Sequence, residues 1–389
     1  MVRIVLAGIG GYGDNYIAEL LENCPENVEL TGICDPFAAA SPRFSCINEK
    51  QIPVYASLDE YFNSPREKGR KTDLTVISSP IHTHYDFMKC ALVHGSNVLC
   101  EKPPCTVLDQ FSDLEEMERK TGLFIGVGFQ QCYDPQVQEL KKDIAAGVYG
   151  KPKLLKTLRL MRRGKKYYSR NSWAGRIGSG TRLVLDSPLN NACAHEFENM
   201  LFVLGSKPDT TAEIKNVTAR LYRANSGIEN YDAVALQAQA VCVCSGISVD
   251  VPLYYYAAHC IEEEKTGPFS RYEFEKAVIE YKGGFYASDM SGKMIKDYRT
   301  IPAGGKLQKL YDCITCIENG TQPVCRLYTC FAHMTAVHMA QAFPVQQVPE
   351  ANLACFTKDD DSFCAVKDLS RIFTDCYTSA RLPGDGEII

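Results

Sequence analysis

The chain has no surplus of basic charge: its 389 residues carry 42 Lys and Arg against 47 Asp and Glu, a net charge of −5. Neutralising a nucleic-acid backbone needs a basic face, so this balance argues against such a partner. No apolar run approaches the roughly 18 residues of a membrane span. The opening Met1-Val-Arg-Ile-Val-Leu-Ala-Gly8 lacks the basic segment, apolar stretch and small-residue cleavage site of a secretory leader. Tryptophan occurs once, and the sequence shows neither internal repeats nor low-complexity segments. Cysteine, by contrast, is plentiful at 18 residues, though well under the ~8–10% of a disulfide scaffold. The expectation is a cytoplasmic protein whose reduced thiols act as small core hydrophobes. With 45% hydrophobic and 23% charged residues the chain is expected to fold around a large core. At about 100–200 residues per domain, two domains are anticipated.

Short apolar runs at Val2–Ala7, Glu29–Cys34, Leu74–Ser78, Asn97–Cys100 and Leu123–Val127 are separated by longer helix-like stretches. Runs without polar alternation suit strands covered on both faces, hence a parallel sheet in an α/β fold. The first run enters Gly8-Ile9-Gly10-Gly11-Tyr12-Gly13, a G-x-G-x-x-G motif, followed by a helical pattern from Asp14 to Cys24. Gly8 permits a tight turn, Gly10 lets the backbone approach a pyrophosphate, and Gly13 lets the helix pack on the strand. The helix start offers free N–H groups to the anion. The second run ends in Asp35-Pro36, 22 residues after Gly13, near the ~20 expected of an acid that binds a ribose diol. That carboxylate favours NAD over NADP, because it would repel a 2′-phosphate. A turn role before Pro36 is the alternative.

Val76-Ile-Ser78-Ser79-Pro80-Ile81-His82-Thr83-His84 and, after a helix, Asn97-Val-Leu-Cys100-Glu101-Lys102-Pro103 together resemble the Gfo/Idh/MocA oxidoreductases. That family carries a "TPxxxH" segment after its fourth strand and an "EKP" after its fifth. The likeness continues through Gly126-Val-Gly128-Phe129 and Gly147-Val-Tyr-Gly150-Lys151-Pro152, while Ile81 stands where the family often has Asn. The resemblance implies a Rossmann domain, taken as 1–128, then an α+β domain, taken as 129–389, with a large, mostly antiparallel, open-faced sheet. It implies a homodimer or homotetramer formed through that sheet. It also places Ser78, Ser79, Pro80, His84, Glu101 and Lys102 at the cofactor. Strand-like runs at Leu154–Leu160, Ala233–Val243, Ser248–Tyr256, Arg271–Glu275 and Ala277–Tyr281 agree with the second domain. Lys102 follows a parallel strand at the sheet edge where ligands lie, and Pro103 restricts its backbone. There a lysine can hydrogen-bond a substrate hydroxyl and share in proton transfer.

The family's other signature is an Asp, a His four residues on and an acid three further, on a helix ending in Leu-Gly. Counting back from Leu204-Gly205, the histidine falls on His195, the later acid on Glu198, and the Asp on Asn191. The three would share one helical face. Asp186 or Asn190 is then free to cap the helix. Either Asn191 or Asp186 takes the place of the family Asp, and His195 is the candidate base. Upstream, Tyr168 and Trp173, with Asn190, are candidates for a sugar-binding lip.

Cys313-x-x-Cys316 with Cys325 and Cys330 mimics a thiolate zinc site, but Lys306–Glu318 and Leu327–Ala342 read as helices, so no metal is expected. His333 and His338 are five apart and do not form a ligand pair. Lys358-Asp-Asp-Asp361 reads as a solvated charge cluster before a helix over 367–380. The resulting expectation is an NAD-dependent dehydrogenase acting on a CH–OH of a sugar, sugar derivative or cyclitol. Lys102 and His195 would move the proton while Asn191 or Asp186 orients them. Two alternatives stay open: a glycoside hydrolase that retains NAD and works by transient oxidation and elimination, and a cofactor-binding regulatory protein.

Overall fold

Strands β1 (Val2–Ala7), β2 (Val28–Cys34), β3 (Val54–Tyr55), β4 (Leu74–Ile77), β5 (Asn97–Cys100) and β6 (Ile125–Val127) form a parallel sheet in the order β3-β2-β1-β4-β5-β6. This is the doubly wound order. The computed structural model describes residues 1–244 and 246–388. The register aligns the strand ends: Ala7 lies beside both Cys34 and Ile77, Ile77 beside Cys100, and Cys100 beside Val127. The next residues, Gly8, Asp35, Ser78 and Glu101, therefore leave the sheet along one edge. The helix after the glycine turn spans Gly13–Glu22 and buries Tyr16, Ile17, Leu20 and Leu21 against the sheet core.

The chain divides into two units, and the division differs from a single cut after residue 128. The first unit is Met1–Tyr133 plus Gly304–Cys330; the second is Asp134–Ala303 with the residues from Phe331 onward. The amphipathic helix Gln308–Asn319 packs Leu310, Cys313 and Ile314 into the core that holds Ile4, Leu6 and Leu20. It ends at Gly320 with φ 64°. The returning segment then pairs with β6, Val127 N–H donating to the Cys325 carbonyl and Leu327 N–H to that of Ile125. Nothing local in the sequence tells that this segment completes the first sheet.

In the second unit, β7 (Pro152–Met161) is followed by a short hairpin of β8 (Gly178–Ser179) and β9 (Arg182–Leu183). Then come β10 (Glu213–Arg223), β11 (Ala233–Cys244), β12 (Ile247–Ala258), β13 (Lys265–Phe274), β14 (Ala277–Tyr281), β15 (Phe285–Asp289), β16 (Met294–Asp297) and β17 (Val345–Gln347). These, with β7, form a nine-stranded sheet in the order β16-β15-β14-β13-β7-β12-β11-β10-β17. Pairing is antiparallel except at β7–β12 and β10–β17. The sheet face is less open than the resemblance implied. The C-terminal helix Leu369–Ser379 lays Leu369, Ile372, Phe373 and Cys376 on a cluster with Leu158, Tyr256 and Ala258, and Lys156 Nζ donates to the Thr378 carbonyl at 2.8 Å. The acidic cluster at 358–361 is the turn of a further hairpin, β18 (Leu353–Lys358) with β19 (Asp361–Val366). Asp359 and Asp360 take the positive φ values, 51° and 57°, of a two-residue primed turn.

All 18 cysteines are free thiols; Cys24 and Cys355 are exposed and 13 are buried. A thiol reagent added to the native protein is expected to label Cys24 and Cys355 first, with the buried set reacting only after denaturation. Rapid labelling of most thiols would contradict this packing. Among the described residues no helix is long and apolar enough to cross a membrane, and no group of three or more His, Cys, Asp or Glu is placed to hold a metal.

Candidate functional site

The glycine loop is shaped by close approach. At Gly13 an added Cβ would lie 2.3 Å from the Gly8 carbonyl oxygen, and at Gly8, where φ is 86°, 2.7 Å from the Ser79 nitrogen. At Gly10 and Gly11 it would meet nothing within 4 Å. Two glycines thus close the turn on the sheet, and two leave open space above the backbone. This is a cradle that fits a pyrophosphate approaching the start of the Gly13–Glu22 helix. Asp35 accepts the Ile9 N–H at 2.9 Å through Oδ2 and the Phe37 N–H at 2.8 Å through Oδ1. The carboxylate therefore fixes the loop as well as the turn at Pro36. It stays partly exposed, with lone pairs left for a diol.

Tyr12 and Glu101 take parts that the sequence did not reveal. Tyr12 donates its hydroxyl to Gln130 Oε1 at 3.1 Å, and the Lys309 ammonium sits over its ring, 4.5 Å from the centroid. Glu101 turns inward and is buried. Its Oε1 accepts the Tyr16 hydroxyl at 2.8 Å and the buried Lys309 ammonium, which also donates to the Gly128 carbonyl at 3.2 Å. Glu101 is thereby an internal tie of this unit, not an open cofactor ligand. Burial and the adjoining Glu101 push the Tyr16 hydroxyl well above its ordinary pKa.

His84 is buried too. Its Nδ1 lies 2.8 Å from the Pro103 carbonyl and its Nε2 2.9 Å from that of Ser79. Burial lowers its pKa. The ring links the loop after β4 to the loop after β5 and does not present itself as a ligand. Ser79 Oγ pairs with Thr83 Oγ1 at 2.6 Å, Ser78 N–H donates to the Ala7 carbonyl, and Pro80 is exposed. Between the two anchored residues Glu101 and Pro103, Lys102 is half-buried.

In the second unit the expected single helix is interrupted. Pro188–Ala192 forms a π-helical turn, and the α-helix proper spans Ala194–Phe202. Asn191 therefore stands on the turn, not on the helical face of His195. Neither Asp186 nor Asn190 caps the turn: the Ser187 hydroxyl accepts the Asn190 N–H at 3.2 Å. Asn190 is buried, its amide donating to the Val184 and Leu185 carbonyls, which removes it from a substrate lip. Asp186 is also buried; Oδ2 accepts the Gly175 N–H at 2.6 Å and Oδ1 the Asn191 amide at 2.7 Å. The two candidates for one role are thus a bonded pair next to the helix of His195. His195 itself is half-buried, whereas Glu198 is fully buried with an oxygen 3.5 Å from His333 Nδ1. Tyr168 places its hydroxyl 3.0 Å from His259 Nδ1, and Trp173 is half-buried with Arg170 5.4 Å from its ring.

Comparison with known proteins adds the following. Residues 2–129 match the family model described as "Oxidoreductase family, NAD-binding Rossmann fold". The chain is 26% identical over 156 residues to the inositol 2-dehydrogenase/D-chiro-inositol 3-dehydrogenase of Lactiplantibacillus plantarum, covering 40% of this chain and 43% of that one. It is 25% identical over 212 residues to the D-glucoside 3-dehydrogenase of Escherichia coli, covering 52% and 54%. The chain thus spans about half the length of these curated relatives, or less. Among solved structures, the WlbA dehydrogenase from Bordetella pertussis, in complex with NADH and UDP-GlcNAcA, matches with a TM-score of 0.67 at 16% identity. That match covers 89% of this chain and 99% of the other, and it shows a shared fold.

Proposed function

We propose that the chain, whose residues 2–129 match the Gfo/Idh/MocA oxidoreductase family model, is an NAD-dependent dehydrogenase. The reaction converts a CH–OH of a sugar, sugar derivative or cyclitol to C=O. NAD, when bound, would accept the hydride released from that carbon, and the hydroxyl proton would pass to the protein and then to water. The observation that carries this reading is the common edge at which Gly8, Asp35, Ser78 and the Glu101-Lys102 pair leave their strands. When bound, NAD supplies the hydride acceptor, and alignment and proton movement fall to the protein.

Ile9, Gly10 and Gly11 would hold the pyrophosphate, Asp35 the ribose diol, and Ser79 with Pro80 the nicotinamide end. In the first unit Lys102 is the residue assigned to the substrate hydroxyl, and in the second His195 is the residue assigned to proton exchange. The Asp186–Asn191 pair positions the turn that precedes the His195 helix. The part of the large sheet left uncovered by the C-terminal helix serves to pair copies of the chain as a homodimer or homotetramer.

The test is NADH formation across a panel of sugars, glycosides and inositols, with the purified protein checked for retained cofactor. NADH appearing with one class supports the reading. Retained NAD with aglycone release and no net NADH would replace it. Asp35→Ser is expected to narrow the preference for NAD over NADP by about tenfold or more, roughly 1.4 kcal/mol, measured as the ratio of kcat/KM for the two cofactors. An unchanged ratio would remove Asp35 from the ribose.

A further inference from the structure

Between Lys151 and Leu185 the sequence holds 11 Lys and Arg and no Asp or Glu, in a chain whose net charge is −5. Several of these cations are answered within the second unit. Arg159 lies 3.5 Å from Glu196, Arg176 pairs with Glu229 at 2.9 Å, and Arg162 donates to the Glu262 carbonyl while lying over Phe356 and Phe363. Arg163 and Arg170 are placed differently. Both guanidiniums lie against one aromatic ring, at 4.7 and 3.6 Å from the centroid of Tyr167, and Arg170 also reaches over Trp173. Their polar contacts are to neutral acceptors: Arg170 Nη1 donates to the Tyr167 carbonyl at 2.6 Å, and Arg163 Nη2 to Met161 Sδ at 3.2 Å. Among the described residues neither has a carboxylate within ion-pair distance.

Two like charges gathered on one ring repel; Arg163 is half-buried and Arg170 is exposed. Cation–π contact holds them in place without neutralising them. The imidazole beside them does not add to the charge. Burial, then Arg163 and Arg170, depress the pKa of His259 to about 3, so it stays neutral and pairs with the Tyr168 hydroxyl. The same loop is tied to the His195 region, because Asp186 holds the Gly175 N–H with one oxygen and the Asn191 amide with the other. A positive cluster with aromatic walls is thus built into the loop that carries the candidate substrate residues.

Resting on the dehydrogenase reading above, we propose that the substrate is an anionic sugar whose carboxylate or phosphate is bound by Arg163 and Arg170, with Tyr167 and Trp173 flanking it. The guanidinium fork matches both oxyanions in charge and geometry, which a neutral hydroxyl does not. The net charge of −5 over the whole chain does not describe this loop.

The test pairs each neutral sugar with its charged counterpart: glucose with glucuronate and with glucose 6-phosphate, and myo-inositol with its monophosphate. NADH formation is expected to favour the charged member by about tenfold or more in kcat/KM, and the uronate and phosphate arms identify the oxyanion. Arg163→Gln with Arg170→Gln should collapse that ratio through KM, while Arg170→Lys, which keeps the charge, retains more of it. Added salt should raise KM for the charged sugars only. A second readout is the thermal shift of the NAD-loaded protein with glucuronate or glucose 6-phosphate, compared with glucose. A ratio near one with no anion-dependent shift overturns the proposal, as does a ratio unchanged in the double variant. An anion-dependent shift lost in R163Q/R170Q, with no NADH from any sugar, upholds the anion site and sinks the dehydrogenase reading instead.

Discussion

Lys102→Met is expected to lower kcat/KM for sugar oxidation by about 10²–10⁴-fold, the contribution typical of a positioned acid–base group, while NADH affinity stays nearly unchanged. The backbone around Lys102 is held from both sides. Glu101 N–H donates to the Ile77 carbonyl, and the Pro103 carbonyl faces His84 Nδ1 at 2.8 Å. Methionine keeps the apolar stem and removes only the ammonium, so the loop has little reason to move. Initial rates of NADH formation and a fluorescence titration with NADH separate the outcomes. Unimpaired turnover would dismiss Lys102 as the proton-handling group, and a collapse of NADH binding would make it a cofactor ligand instead.

Lys309→Ala is expected to destabilise the first unit by about 3–5 kcal/mol, because it strands the Glu101 carboxylate in a buried setting without its cation. The Gly128 carbonyl and the Tyr12 and Tyr16 rings lose the same ammonium. At roughly 2–4 °C per kcal/mol for a unit of this size, the unfolding midpoint should fall by roughly 6–20 °C. Replacing both partners, as Glu101→Gln with Lys309→Met, should recover part of the loss, since a well-packed uncharged pair avoids the stranded charge. Thermal unfolding of the three variants against the parent measures this directly. A midpoint unmoved by Lys309→Ala would mean that the pair contributes nothing to the fold.

What was legible in the sequence is what local pattern determines. The apolar runs of the first sheet, the glycine turn and the start of its helix lie within two or three residues of where periodicity puts them, because doubly covered strands tolerate few polar residues. The glycine loop was equally readable, since Gly8 and Gly13 answer to backbone crowding within a single turn. Lys309 was not, because its partner lies 208 residues away and its only sign is a lysine on the apolar stripe of an amphipathic helix.

The region around His195 was half legible. Counting back from Leu204-Gly205 put His195 on a helix, and it lies within Ala194–Phe202. Ser187-Pro188, a cap followed by proline at the first helical position, marked a separate turn that moved Asn191 off the helical face. Asp186 gave no sign of its burial, because its partners are an N–H 11 residues upstream and an amide five residues on. The hairpin at 353–366 escaped because Asp359-Asp360 supplies positive φ without the glycine that normally announces a primed turn. Whole-chain charge concealed the cationic loop, as averaging over 389 residues removes any local sign.

The most direct test of the central claim is hydride transfer itself. The protein is incubated with NAD and a sugar deuterated at each ring carbon in turn, and the NADH formed is analysed by mass. The dehydrogenase account predicts that one labelled position, and only one, delivers deuterium to the cofactor. NADH that never acquires deuterium, or NAD that stays unreduced with every sugar, cyclitol and sugar acid offered, would contradict it.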